Sequence, residues 1–352
     1  MGLTKSQAAI WQKARSLSNS GQAIALTDGM CSYLVATIVR DLGLSALFPE
    51  LPRVLPPFFT DGPLASLVVD GHDCHALYER LVAANSDSDT YFACLAALHK
   101  ARLKYELILC TQPFPTLEQV GPRGLLQYGK LSGDALAGLM FWRKWFFDID
   151  NRAGQETGYL FEPIIAYAIG GTPAPAKKSP VKRHSDTTKG RQVDCLLERR
   201  AYELKIRVTI AASGQGRWQE ELDFPVDCRQ SGYQPVLVCM DSTSNPKLTA
   251  LIKAFREEDG EVYVGEAAWQ HLDELAGSTM SKFLDTYVRT PIQDLLEKAG
   301  ESLPDLTARC REDSIVIIVG GEVLHIDRHA SDDRGNGEDP MPDDADDEIP
   351  GS

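Results

Sequence analysis

Two short apolar runs constrain this chain most: Val193-Asp194-Cys195-Leu196-Leu197 and Ala201-Tyr202-Glu203-Leu204-Lys205-Ile206-Arg207-Val208-Thr209-Ile210, with only Glu198-Arg199-Arg200 between them. Period-two alternation over so short a gap reads as a β-hairpin. In the second strand Leu204, Ile206, Val208 and Ile210 share one side, and Glu203, Lys205, Arg207 and Thr209 the other. A Glu and a Lys two residues apart are an odd choice for a merely solvated face. Asp194 lies in the neighbouring strand, where hairpin pairing brings it near Glu203. Two carboxylates converging on one point repel unless something positive lies between them. A hard divalent cation such as Mg²⁺ does that and prefers oxygen ligands. Lys205 on the same face is placed to orient a water, lower its pKa or hold a phosphate oxygen. The bland alternative is an exposed hairpin whose cross-strand Lys–Glu pair contributes only ~0.2–1 kcal/mol.

Charge distribution bears on that choice. The chain carries a net charge of −14, which by itself argues against a nucleic-acid partner. However, residues 331–352 hold nine acids against one Arg, so this tail supplies more than half of the excess. From Gly171 to Arg217 there are eleven Lys and Arg against four Asp and Glu. A basic segment around a candidate metal site suits a phosphodiester substrate. No run of 18 apolar residues predicts a transmembrane helix, and Met1–Gln7 lacks the apolar core of a signal peptide. Eight cysteines, none in a CxxC pair and most in apolar segments, point to reduced thiols and a cytoplasmic protein. The Walker A, GxGxxG, GxSxG and HExxH patterns are missing, which removes the usual support for ATP-driven, dinucleotide, serine-hydrolase and zincin chemistry.

Taken in order, residues 1–150 read as a mostly helical region serving DNA binding, dimerisation or both. Helices are expected over Ser6–Asn19, Asp28–Leu42 (capped by Thr27 or Asp28), His75–Ala84, Asp87–Leu107 and Gly133–Ile149, with a short one after Thr116. Five prolines make Pro49–Pro63 a loop. Trp142, Trp145 and Phe146 recur at i, i+3, i+4 and are better core residues than a base-stacking platform. His72, Cys74, His75, Cys94 and His99 have zinc-ligand chemistry, but their bunching favours packing or surface roles. A helix from Glu156 to Gly170-Gly171 is expected to kink or restart at Pro163. Residues 172–190, rich in Pro and Lys without an apolar pattern, read as a mobile loop in front of the hairpin. Lys182, Arg183, Lys189 and Arg191 are its candidate DNA contacts. Beyond the hairpin, Ser213, Gln215 and Arg217 are candidates for base or phosphate contacts. Strands at Pro235–Met240 and Glu261–Gly265 alternate with helices at Lys247–Glu257 and Glu266–Leu275. The succession from Glu156 to residue 276 is that of an α/β sandwich on a mixed sheet. Residues 277–328 give a helix interrupted near Pro291 and a terminal hairpin, Ser314–Val319 with Glu322–Ile326. The acidic tail, 329–352, is expected to be disordered.

Asp194 followed by Glu203-Leu204-Lys205 resembles the PD-(D/E)xK nuclease motif, although Val193 stands where that superfamily often has proline. Residues 141–150 (FWRKWFFDID), the Gly154–Pro163 segment and Thr209–Arg217 are further similar to the ApaLI-like restriction enzymes. The superfamily resemblance covers roughly residues 150–275, the narrower one most of the chain. It implies a restriction-endonuclease-like α/β core over 151–276 and Mg²⁺-dependent hydrolysis of double-stranded DNA at a short palindrome by a homodimer, one subunit per strand. Asp194, Glu203 and the Leu204 carbonyl would then bind Mg²⁺, and Lys205 would position the nucleophile or stabilise the reacting phosphorus. Such folds begin with a helix whose glutamate often joins the site; Glu162 is the first candidate, Glu156 the second. The rivals are a resolvase or repair nuclease on the same scaffold and a catalytically silent DNA-binding protein. Discrete, Mg²⁺-dependent fragments would separate the first reading from both.

Overall fold

The computed structural model describes residues 2–16, 24–206, 215–298 and 304–329. The chain begins with α1 (Lys5–Arg15), α2 (Asp28–Asp41), α3 (Cys74–Ala84), α4 (Ser88–Thr111), α5 (Leu117–Gly124) and the long α6 (Gly133–Ala168). Next come β1 (Thr172–Ala174), β2 (Lys182–Arg183), β3 (Asp186–Gly190), β4 (Val193–Leu197) and β5 (Arg200–Lys205). Helices and strands then alternate through α7 (Gln215–Gln230), β6 (Gln234–Cys239), α8 (Pro246–Glu257), β7 (Glu261–Val264) and α9 (Glu266–Leu284). The described chain closes with α10 (Thr290–Lys298), β8 (Leu306–Cys310), β9 (Ser314–Val319) and β10 (Glu322–Asp327).

Side-chain caps fix several helix starts by satisfying amides that the first turn leaves free. The Thr27 hydroxyl accepts from Met30 N at 3.2 Å, Asp73 from Ala76 N at 3.1 Å and Asn245 from Leu248 N at 2.8 Å, with Pro246 in the first turn of α8. The central sheet runs β1-β4-β5-β6-β7. β1, β4 and β5 pair antiparallel, whereas β5/β6 and β6/β7 are parallel, as helical crossovers through α7 and α8 require. Val236, Leu237, Val238 and Cys239 are wholly buried, the mark of a strand covered on both faces.

Two apolar layers enclose this sheet. On one face Tyr202, Leu204 and Val238 pack with Ile164 and Ile165 of α6 and Trp269 of α9, in a core continuous with α2, α3 and α4. On the other, Ala201 and Leu237 meet Phe224 of α7 and Phe255 of α8, whose rings stack at 5.8 Å. A separate cluster joins Trp145 and Ile149 of α6 to Ile315, Ile317 and Ile326 of a terminal β10-β9-β8 sheet. Trp145, Trp142 and Phe146 of α6 therefore face a core, as their spacing predicts: Trp145 is 1 % exposed and Trp142 and Phe146 pack half-buried beside it, while Phe147 is exposed.

Three features depart from the sequence expectations. First, α6 is one 36-residue helix that passes residue 150 and continues through Pro163. The turn that lacks the proline N–H is held instead by burial of Ile164, Ile165 and Ala166 against the sheet. Second, the basic stretch before β4 is not a featureless loop: β2 and β3 form an antiparallel ribbon, and Val181 is fully buried. Third, β8 adds a strand to the terminal hairpin. The interruption expected near Pro291 takes the form of a π-helical turn, Asp285–Arg289, leading into α10. Among the described residues no helix is long and apolar enough to cross a membrane. The acidic tail lies outside the described residues beyond His329.

Candidate active site

Pairing of β4 with β5 sets Cys195 opposite Tyr202 and Leu196 opposite Ala201, and the same register continued puts Asp194 opposite Glu203. The Leu204 amide donates to Asp194 Oδ2 at 2.8 Å, which pins that carboxylate across the strands. Glu203 and Lys205 alternate with the buried Tyr202 and Leu204, so both point to the α7 side of the sheet. Lys205 Nζ lies 2.7 Å from Glu203 Oε1 and 3.8 Å from Glu221 Oε1 of α7. The two strand side chains keep only 13 % and 21 % of their exposure. An exposed surface pair is thus ruled out, and the expected cluster of acids around one lysine exists. It sits at the carboxyl end of β5, where the sheet changes from antiparallel to parallel. Crevices outside strand carboxyl ends are the usual ligand sites of open α/β sheets.

The charges in this cluster are unbalanced. Burial, followed by the Glu203 carboxylate, pushes Glu162 up to about 7, with Lys205 opposing. Burial and the neighbouring Glu162 and Glu203 raise Asp194 well above the usual carboxylate range. Glu221 is raised by burial and by Glu203, while Lys205 opposes. Burial works against the Lys205 ammonium, but Glu203, Asp194 and Glu221 outweigh it and hold its pKa above the ordinary lysine value. Lys205 is therefore a standing cation and hydrogen-bond donor, not a base at neutral pH. Four carboxylates around one ammonium leave a deficit of positive charge that a hard cation would fill. Among the described residues no three or more His, Cys, Asp and Glu side chains are already gathered closely enough to hold a metal ion by themselves. An ion that keeps part of its water shell and takes only a few protein oxygens would suit such a donor set.

The basic residues behave differently from one another. Lys189 on β3 is exposed, with Nζ 3.3 Å from Asp186. Arg183 on β2 pairs with Glu220 at 2.8 Å. Lys182 Nζ donates to the Ser179 carbonyl at 3.0 Å, and its amide donates to Ser231 Oγ at 2.8 Å. Arg191, expected to contact DNA, is turned inward instead and is 7 % exposed. Its guanidinium donates to the Glu220 carbonyl, lies 3.6 Å from Asp227 and sits over the Phe224 ring. Its charge is consumed in fixing α7 beneath the β2/β3 ribbon. Ser213 lies outside the described residues, as do the side chains of Glu156, Gln215 and Arg217.

Two acids that sequence reading passed over complete the region. Asp227, 1 % exposed, accepts from the His184 amide at 2.6 Å and contacts His184 Nδ1 at 2.7 Å, which ties the ribbon to α7. Glu221 faces Lys205. A signal for Glu221 existed in the chain: Glu221, Phe224 and Cys228 recur at i, i+3, i+7, the spacing of one helical face.

A family model described as "ApaLI-like restriction endonuclease" matches residues 68–289, which include the whole cluster. The chain is 44 % identical over 326 residues to the type II restriction enzyme ApaLI of Acetobacter pasteurianus, covering 84 % of this chain and 86 % of that protein. No solved structure matches.

Proposed function

Because the chain belongs to the ApaLI-like restriction endonuclease family and is thus a type II restriction enzyme that cleaves DNA site-specifically, we propose that Asp194, Glu203, Lys205 and Glu162 are its catalytic centre and Mg²⁺ its ion. Enzymes of this type generally use divalent metal ions. The observation that carries the assignment is the largely shielded Glu203–Lys205 contact at 2.7 Å beside Asp194, among acids short of positive charge.

Asp194, Glu203 and the Leu204 carbonyl would hold the ion. When bound, it supplies positive charge against the charge that develops on the attacked phosphodiester. The chain's own groups do the rest. Asp194 is fixed by the Leu204 amide, so its second oxygen stays aimed into the pocket. Lys205 donates to the attacking water or to a non-bridging phosphate oxygen. Glu162, carried by α6, lies within reach of the Glu203 and Lys205 charges and would order water on that side of the cluster.

Lys189, Arg183 and Lys182 present a basic ribbon edge for the phosphate backbone, braced by Arg191 from below. Gln215 and Arg217, in the first turn of α7, and Ser213, just before them in sequence, are our candidates for contacts to base edges or phosphates. A palindromic site read by two copies of one catalytic centre calls for a homodimer, one strand cut per subunit. Such a substrate places the enzyme in the cytoplasm.

The test is digestion of unmethylated phage and plasmid DNA with Mg²⁺ or with EDTA, beside Lys205→Ala. Discrete fragments that need the ion and vanish in the variant are expected. A Lys205→Ala protein that still cuts would overturn the assignment. Sedimentation of the free protein checks the dimer.

A further inference from the structure

We infer that Glu221 is a positioning residue for cleavage: it is the second counter-ion of Lys205, and it lets the Glu203 carboxylate turn from that lysine to the cation. The inference rests on the reading of Asp194 and Glu203 as the cation site.

Lys205 Nζ is shared unequally, 2.7 Å from Glu203 and 3.8 Å from Glu221. In this arrangement Oε1 of Glu203 is held by the ammonium, which ties the orientation of the whole carboxylate to the lysine. A carboxylate that turns to a cation abandons its lysine, and a buried ammonium left alone is strongly unfavourable. Glu221 removes that obstacle. Its helix is fixed by Phe224 and Cys228 in the core beneath the sheet, so the carboxylate stays in place while Glu203 moves. The other cations that act on Glu221 are Lys247 and Arg191. Lys247 lies over the Trp218 ring at 5.3 Å, and Arg191 is bound to Asp227 and the Glu220 carbonyl. The ion pair of Glu221 is with Lys205. Asp194 and Glu162 also face the lysine and Glu203, but Asp194 is tied to the Leu204 amide and both lie among the acids that the cation would neutralise. Among the described residues Glu221 is the acid of α7 that pairs with the ammonium.

A double-mutant cycle read in cation affinity tests this without relying on cleavage. Calorimetric titration of the full-length protein with Mg²⁺ and with Ca²⁺, free of DNA, compares wild type, Glu221→Gln, Lys205→Ala and the double variant. Glu221→Gln should weaken cation binding about tenfold, the scale at which groups behind a metal ligand act. In the Lys205→Ala background the same change should have no effect, because no ammonium then holds Glu203. Glu221→Asp should bind nearly as wild type, and the unfolding temperature should stay unchanged. Equal weakening with and without Lys205 would make Glu221 a direct ligand and overturn the inference. So would wild-type affinity in Glu221→Gln. If Glu221→Gln does not fold, Glu221→Asp decides: it must weaken binding less than threefold with Lys205 present and not at all without it. A wild-type protein that binds neither ion would remove the cation site itself, and this role with it; coupling failure in a protein that binds the ion removes only the role.

Discussion

Replacing Glu162 by Gln should stabilise the cation-free protein at alkaline pH while impairing cleavage. In the folded protein burial and Glu203 raise this carboxyl from 4.5 to about 7. The folded state therefore holds the proton more tightly than the unfolded chain. Stability from this group is fully present below about pH 4.5 and is lost as pH rises through 7. At about 1.4 kcal/mol per pH unit, that span corresponds to a penalty of about 3 kcal/mol at pH 8. Glutamine keeps the shape and carries no charge, so the variant escapes the penalty. Urea unfolding in EDTA at pH 5 and pH 8 reads the difference. The Glu162→Gln midpoint should exceed that of wild type by roughly 0.5–1 M at pH 8 and by little at pH 5. Added Mg²⁺ should narrow the gap, since positive charge relieves the wild-type cluster but has less to relieve in the variant. A variant no more stable than wild type at pH 8, or equally shifted at both pH values, would refute the charge-deficit reading of the pocket.

Lys205→Ala should lower the cleavage rate at least about 10²-fold, the scale for losing one preorganised donor at a developing charge, with circular dichroism unchanged. Asp227→Ala should cost about 3–5 kcal/mol, because the nearly buried Arg191 loses its carboxylate, and limited proteolysis should then open the 182–190 ribbon first. Resistance of that ribbon to protease in the variant would show that Asp227 does not anchor it. Trp145→Ala should cost about 3–5 kcal/mol by emptying the cluster between α6 and the terminal sheet, yet leave the cation affinity of any folded fraction intact.

What the sequence determined by itself was local. Strand alternation places Glu203 and Lys205 on one face, and the short Glu198-Arg199-Arg200 connection fixes which residue of the first strand stands opposite, so the pairing of Asp194 with Glu203 is legible locally. Helical spacing put Trp145 in a core for the same reason: periodicity and short-range pairing act over a few residues and leave a readable trace. The tertiary structure decided what depends on packing between distant elements. The segment of residues 172–190 carries no apolar pattern because its order comes from Asp227, Ser231 and the buried Val181, not from its own side chains. Arg191 looks like any surface cation in sequence, and only the seating of α7 turns it inward. Glu162 lies some forty residues before Glu203, and Glu221 sixteen after Lys205. Neither distance carries information about contact. The packing of α6 and α7 around the end of one sheet brings both acids to the lysine, and that is settled by burial of Ile164, Ile165, Phe224 and Cys228 rather than by the charges themselves.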